Sequence, residues 1–271
     1  MGSSTVRLIP DSMDPVVVAE VDARLVAVAR DHEVRVLWAI ESGSRAWGFP
    51  SPDSDYDCRF LYVRRPATYT SLWPVRDVIE TPLDRIFDVN GWDLAKAVRL
   101  AVGGNATVGE WLRSPIVYSG DPDLRDSAVA LVDVVADRSQ LTRHYLHVGR
   151  NQLDRAGDGR LKRVFYALRP ALALRWLRQH PDRVAVPMDL PTLLLEVDLP
   201  AAAVEQVEDL VALKARTREM GTGSVPAEVR ALVAAELEHA ETTQTAPDPT
   251  DLARRRVVAD QWFQQALERW A

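Results

Sequence analysis

Cysteine is almost missing from this chain: Cys58 stands alone among 271 residues. A single thiol excludes an intramolecular disulfide framework and a thiolate-bound structural zinc site, and it leaves redox chemistry without support. Long hydrophobic runs are missing too. No uncharged stretch approaches the roughly 18 apolar residues a membrane helix needs, and the N-terminus has no basic segment followed by an apolar one. The expectation is a cytoplasmic protein that makes no use of a membrane. Lysine occurs only at positions 96, 162 and 214, against 30 arginines. Acidic residues (39) outnumber basic ones (33), for a formal charge of −6. That balance gives no global attraction to nucleic acid, so any such contact needs a local patch. One is visible from Arg138 to Arg178, with ten basic residues against Asp154 and Asp158. What is present is ordinary globular material, 47% apolar and 27% charged. This excludes a disordered, collagenous or coiled-coil protein, and the length suits one large domain or two small ones.

Asp14-Pro15 marks a helix start, an N-cap acceptor followed by proline, and Val17, Val21, Leu25 and Val28 recur at helical spacing to about His32. Val34 to Ile40 reads as a buried strand. After a Gly/Ser/Pro-bearing break, residues alternate from Asp55: Tyr56, Cys58, Phe60 and Tyr62 on one face, Asp55, Asp57, Arg59 and Leu61 on the other. Residues 64–76 read as a loop, with short strands at Asp77–Glu80 and Arg85–Val89 and helices at Asp93–Val102 and Thr107–Arg113. From Asp121 strand signals vanish, and Leu124–Ala136, Ser139–Leu153, Leu161–Gln179, Ala201–Arg218, Pro226–Glu241 and Thr250–Trp270 all look helical. The pattern predicts an α+β domain over 1–120 and an all-helical domain over 121–271.

The informative stretch is Gly43-Ser44, ten intervening residues, then Asp55-Tyr56-Asp57. On a strand Asp55 and Asp57 share one face, about 7 Å apart at a rise near 3.3–3.4 Å per residue. Like charges so close repel unless a cation neutralises them, and hard oxygen donors select Mg²⁺ or Mn²⁺. Asp88, framed by Ile86, Phe87 and Val89, is a third carboxylate that a neighbouring antiparallel strand could bring alongside. Three such groups suit two ions about 3.5–4 Å apart gripping the attacking and leaving oxygens of an in-line displacement. In that arrangement Asp55 and Asp57 bridge both ions and Asp88 holds the one that activates a hydroxyl. Gly43 and Ser44 let backbone N–H groups and a hydroxyl approach a triphosphate.

The ordered set of Gly-Ser, Asp-x-Asp and a distal strand aspartate resembles the DNA polymerase β-like nucleotidyltransferase superfamily. The longer strings Glu41-Ser-Gly-Ser-Arg-Ala-Trp-Gly48, Ser51-Pro-Asp-Ser-Asp-Tyr-Asp57, Gly91-Trp-Asp-Leu94, Glu110-Trp-Leu112, Ser114-Pro-Ile-Val-Tyr118 and Tyr166-Ala-Leu-Arg-Pro170 look like its bacterial RNA-repair-pathway (RlaP, or YcgL-like) subfamily. The resemblance runs from about residue 34 to 178. It implies a small mixed sheet with flanking helices followed by a helical substrate-binding domain, and transfer of a nucleoside monophosphate from a nucleoside triphosphate to a hydroxyl. The acceptor it implies is an RNA end, with the basic stretch 138–178 as part of the track. The same chemistry on a small molecule or a protein hydroxyl, or a nucleotide- or RNA-binding module without turnover, remain the alternatives. No oligomeric state is implied.

Other residues receive roles on that basis. Lys162, Tyr166 and Arg169 share a helical face that could meet the β- and γ-phosphates and stack on the base. Arg45 follows Ser44 and is placed either on phosphate or on the shape of the loop. Tyr69 and Trp73, on the 64–76 loop, are candidates for touching a base or an RNA strand. Trp92, Trp111, Phe165 and Trp176 read as core, His144 and His147 as structural, and Cys58 as a small hydrophobe facing the core opposite the acidic pair.

Overall fold

The computed structural model describes residues 5–82, 84, 86–156, 161–218, 225–247 and 249–271, without the side chains of residues 155, 156, 161 and 162. Six strands form one sheet: β1 (Val6–Leu8), β2 (Arg35–Glu41), β3 (Tyr56–Val63), β4 (Val78–Glu80), β5 (Phe87–Asp93) and β6 (Val117–Gly120), in the order β1-β6-β2-β3-β5-β4. Helix α1 (Pro15–Asp31) begins where Asp14 caps it, the carboxylate accepting from Val16 N at 2.8 Å. A four-residue helix, α2 (Gly43–Ala46), follows β2 directly, and another, α3 (Pro66–Tyr69), lies where the sequence predicts only loop.

Beyond β5 come α4 (Leu94–Val102), capped by Asp93, and α5 (Ala106–Leu112), capped by Asn105. Then follow α6 (Pro122–Val135), α7 (Arg138–Ala156), α8 (Leu161–Gln179), α9 (Leu190–Glu196), α10 (Ala201–Arg216), α11 (Ala227–Thr242) and α12 (Pro249–Trp270). No helix of the described residues is long and apolar enough to cross a membrane.

Alternation along β3 decides which side of the sheet each residue serves. Tyr56, Cys58, Phe60 and Tyr62 pack with α1, Val89 and Tyr118 in one core. Leu61 and Val63 join Leu37, Trp38 and Ile40 in a second core on the opposite face, beneath α4, α5, α6 and α12. A third core is built from α7 to α11.

The packing therefore groups the chain differently from a cut near residue 120. Helices α6 and α12 belong to the sheet layer. Arg35 Nη1 donates to Trp270 O at 3.0 Å, Trp270 Nε1 to Asp121 at 3.2 Å, and Trp262 Nε1 to Ser127 Oγ at 2.7 Å. Amphipathic spacing marks a buried helix face but not the partner it covers, so a helix returning from the end of the chain cannot be read from it.

One pairing corrects the sequence reading. Strand β5 runs parallel to β3, not antiparallel. The chain passes first to the sheet edge as β4, and β5 then returns between β4 and β3 in the direction of β3.

Candidate active site

The parallel register places Asp57 directly opposite Asp88, near the N-terminal ends of β3 and β5. Neighbouring strands lie about 4.7–4.9 Å apart, so the two carboxylates meet at the surface of the sheet. Both are half-buried, with side chains 27% and 28% exposed. Asp55 precedes the strand and is exposed at the mouth of the site. Burial raises the Asp57 pKa above its ordinary value, and Asp88 and Asp55 raise it further, against the lowering pull of Arg59 and Arg45.

A cation already stands between the pair. Arg59, two residues beyond Asp57 on the same face, puts Nη2 at 2.6 Å from Asp88 Oδ2 and 3.5 Å from Asp57 Oδ1. Its Nη1 also donates to the carbonyls of Asp88 (2.7 Å) and Cys58 (3.0 Å). The sequence reading assigned this neutralising role to a metal and gave Arg59 none. The signal was available, since Asp57-x-Arg59 has the two-residue period that puts both on one face. Asn90, at the same period from Asp88, donates to Asp88 Oδ1 and accepts from Thr81 N.

Gly43 supplies the surface on which Asp57 rests. Its φ of +61° lies in the left-handed region, and a Cβ there would fall 2.0 Å from Asp57 Oδ2, so only glycine admits the carboxylate at this turn. Ser44 is buried, and its hydroxyl donates to Ser54 Oγ at 2.8 Å. Arg45 donates to the carbonyls of Ser54 (2.6 Å) and Asp55 (3.1 Å) and stacks over the Tyr56 ring at 3.9 Å. In this state both residues brace the 51–55 loop.

Glu41, absent from the candidate residues, lies beneath Asp57. It is fully buried, and Oε1 accepts from Asp57 N at 2.8 Å while Oε2 receives the Tyr118 hydroxyl. Burial pushes its pKa up to about 8, despite those hydrogen bonds. An acid closing an otherwise apolar strand was the legible signal.

Of the helical residues, Tyr166 reaches the site. It is half-buried, its ring stands edge-on to Trp47 at 5.5 Å, and burial followed by Asp57 raises its pKa. Trp47 itself keeps a buried indole N–H with no acceptor among the described residues. Arg169 is 6% exposed, bonded to Glu110 of α5 at 2.7 Å, and its guanidinium lies 4.5 Å over the Trp47 ring. The Lys162 side chain lies outside the described residues.

Part of the basic stretch 138–178 is engaged by partners within the chain, although Arg150 and Arg178 stay partly exposed. Arg150 pairs with Glu241, Arg175 and Arg178 both pair with Glu236, and Arg138 donates to the carbonyls of His180 and Arg183. Tyr69 is also occupied, its hydroxyl donating to Asp93 and its ring edge-on to Phe263 at 5.3 Å. Trp73 is 81% exposed. It follows the far end of β3, roughly 20 Å along the strand from Asp57.

Among the described residues, no three His, Cys, Asp or Glu side chains gather closely enough to enclose a metal ion. The assembled pair of hard oxygen donors nevertheless fits Mg²⁺ or Mn²⁺. Mg²⁺ is commonly held by one or two carboxylates, its shell completed by substrate phosphates and water rather than by a full protein cage.

Three comparisons bear on this geometry. Residues 17–265 match the family model RlaP, described as the RNA repair pathway DNA polymerase beta family. The chain is 36% identical over 196 residues to the uncharacterized protein YcgL of Bacillus subtilis (strain 168), covering 71% of this chain and 75% of that one. A nucleotidyltransferase-like protein from Exiguobacterium sibiricum 255-15 overlaps 91% of this chain and 79% of its own, at 12% identity and a TM-score of 0.31. That score marks only a loose overlap.

Proposed function

The chain belongs to the RNA repair pathway DNA polymerase beta family, and on that premise we propose that it is a metal-dependent nucleotidyltransferase moving a nucleoside monophosphate from a nucleoside triphosphate to a hydroxyl, with an RNA end as acceptor. The observation that carries this reading is the register pairing of Asp57 with Asp88 beside a turn that only Gly43 permits. In the reaction the acceptor oxygen bonds to the α-phosphorus, the bond to the β-phosphate bridging oxygen breaks, and pyrophosphate leaves.

Asp55, Asp57 and Asp88 would hold one or two Mg²⁺ or Mn²⁺ ions. When bound, such ions neutralise the triphosphate and lower the pKa of the attacking hydroxyl. Asp88, which Asn90 holds at Oδ1, would take the acceptor's proton. Arg59, which holds both carboxylates, would have to release them for a cation to be held there, and its guanidinium could then serve phosphate oxygens. The triphosphate would run along Gly43 and Ser44, with Ser44 exchanging its bond to Ser54. Arg45 keeps the loop before Asp55 in shape, and Tyr166 would stack on the base, with Lys162 one turn before it on α8.

A second reading, the same transfer to a small molecule or a protein hydroxyl, is favoured by one observation. Four of the ten basic residues meant for an RNA track, Arg150, Arg169, Arg175 and Arg178, are already paired to glutamates of this same chain. Incubation with α-labelled nucleoside triphosphates, Mg²⁺ or Mn²⁺, and a panel of RNA ends, proteins and small hydroxyl compounds separates the two. Label moving to RNA supports the first, and label moving only to another acceptor supports the second. No transfer from wild type to any acceptor would refute both.

A further inference from the structure

Two motifs take no part in the chemistry above: Glu41, and the string Ser114-Pro-Ile-Val-Tyr118. The fold brings them together directly beneath Asp57. Strands β2 and β3 pair antiparallel as far as Glu41 opposite Cys58. At the next pair the ladder is half made. Ser42 N donates to Asp57 O at 2.8 Å, but the return bond from Asp57 N goes to the side chain of Glu41, Oε1, at 2.8 Å. The chain is leaving the sheet here, turning at Gly43 into α2, so the Glu41 carboxyl stands in for a main-chain acceptor.

Both the carboxyl and the main chain of Glu41 are held. Tyr118, fully buried, donates to Oε2. Glu41 N donates to Ile116 O at 3.0 Å, and the buried Ser114 hydroxyl donates to Glu41 O at 2.8 Å. Among the described residues no cation pairs with Glu41, and a carboxyl buried on such terms is unfavourable unless its hydrogen bonds are needed. A leucine would fill the space but accept nothing.

We propose that Glu41, braced by Tyr118 and Ser114, is a positioning residue: it satisfies the Asp57 N–H so that β2 can break away at Gly43 while the Asp57 carboxylate stays against that turn. The inference rests on the nucleotidyl-transfer reading for its consequence, because a displaced Asp57 matters only if that carboxylate binds a cation. Supporting groups of this kind typically carry 10- to 100-fold in metal affinity or activity.

The test uses Glu41→Gln, Glu41→Leu and Tyr118→Phe in the full chain, with three readouts: amide exchange at Asp57 by NMR, Mn²⁺ affinity by electron paramagnetic resonance, and nucleotidyl transfer. Glutamine keeps the acceptor, so Glu41→Gln should hold Asp57 N–H protected and stay within about threefold of wild type in Mn²⁺ affinity. Glu41→Leu should expose that amide to exchange and lose 10- to 100-fold in Mn²⁺ affinity and turnover, with the nucleotide KM within about threefold of wild type. Tyr118→Phe, which keeps the acceptor but frees its outer oxygen, should change in the same direction by less, and it serves if Glu41→Leu does not fold. Equal amide exchange in the three Glu41 forms, or Mn²⁺ binding by Glu41→Leu equal to wild type, would overturn the proposal. A wild-type protein that transfers nothing would refute the function reading instead, and the amide exchange would still decide how Asp57 is held.

Discussion

Removing the charge of Arg59 should destabilise the protein and tighten its grip on divalent cations at the same time. Arg59 touches Asp88 at 2.6 Å and Asp57 at 3.5 Å, so Arg59→Met leaves two carboxylates facing each other with nothing between them. At a separation of roughly 5 Å their repulsion is about 3 kcal/mol for an effective dielectric of 20 and under about 1 kcal/mol in bulk water. Both side chains are a little over a quarter exposed, which puts the expected loss at about 1–2 kcal/mol. Urea denaturation in EDTA at neutral pH measures it. Adding Mn²⁺ should restore the loss by linkage, and the variant should bind Mn²⁺ about tenfold more tightly than wild type, since no guanidinium competes for the oxygens. The loss should also shrink in acid as Asp57, with its raised pKa, takes up a proton. A variant as stable as wild type in EDTA, or one that binds Mn²⁺ no better, would refute the view that Arg59 holds the place of a cation.

Three further outcomes follow from particular contacts. Glu41 has a folded pKa of about 8 against an ordinary 4.5, so unfolding releases a proton between those values. Wild-type stability should therefore fall as pH rises from about 4.5 to 8, whereas Glu41→Gln should not share that fall, the two curves diverging by on the order of 3–5 kcal/mol in a pH series of urea melts. Arg169→Met should cost about 3–5 kcal/mol of stability by stranding the buried Glu110, and the double variant Arg169→Met/Glu110→Leu should recover much of it in the same melts. Gly43→Ala combines a positive φ with a Cβ 2.0 Å from Asp57 Oδ2, so it should lose about 1–3 kcal/mol in Tm-derived stability and at least tenfold in transfer, and wild-type behaviour would argue against the close turn.

Much of this site was legible before any fold was drawn, because its parts obey short periods. The alternation Tyr56, Cys58, Phe60, Tyr62 predicts the core face of β3 that the structure shows, and it puts Asp57 and Arg59 on the other. Asp14-Pro15 and Asp93 mark helix starts by local capping chemistry that needs no tertiary partner. What stayed hidden depends on distant contacts. Whether β5 runs with or against β3 is decided by β4 taking the sheet edge. Arg169 and the arginines of α7 and α8 read as a free basic face because their glutamate partners, Glu110, Glu236 and Glu241, lie some 60 to 90 residues away. The short elements β1, β6 and α9 fall below the length at which periodicity speaks, although Asp189 caps α9 and Pro191 sits in its first turn.

On the proposed function, Asp57 and Asp88 seat a divalent cation in front of a nucleoside triphosphate. Anomalous diffraction from crystals grown with Mn²⁺ and a nucleoside triphosphate analogue that cannot be cleaved between its α- and β-phosphates tests it most directly. Manganese should lie between those two carboxylates, with Arg59 moved off Asp88 and the triphosphate running along Gly43 and Ser44. Manganese bound elsewhere, with Arg59 still locked across the acidic pair and the nucleotide outside this cleft, would contradict it.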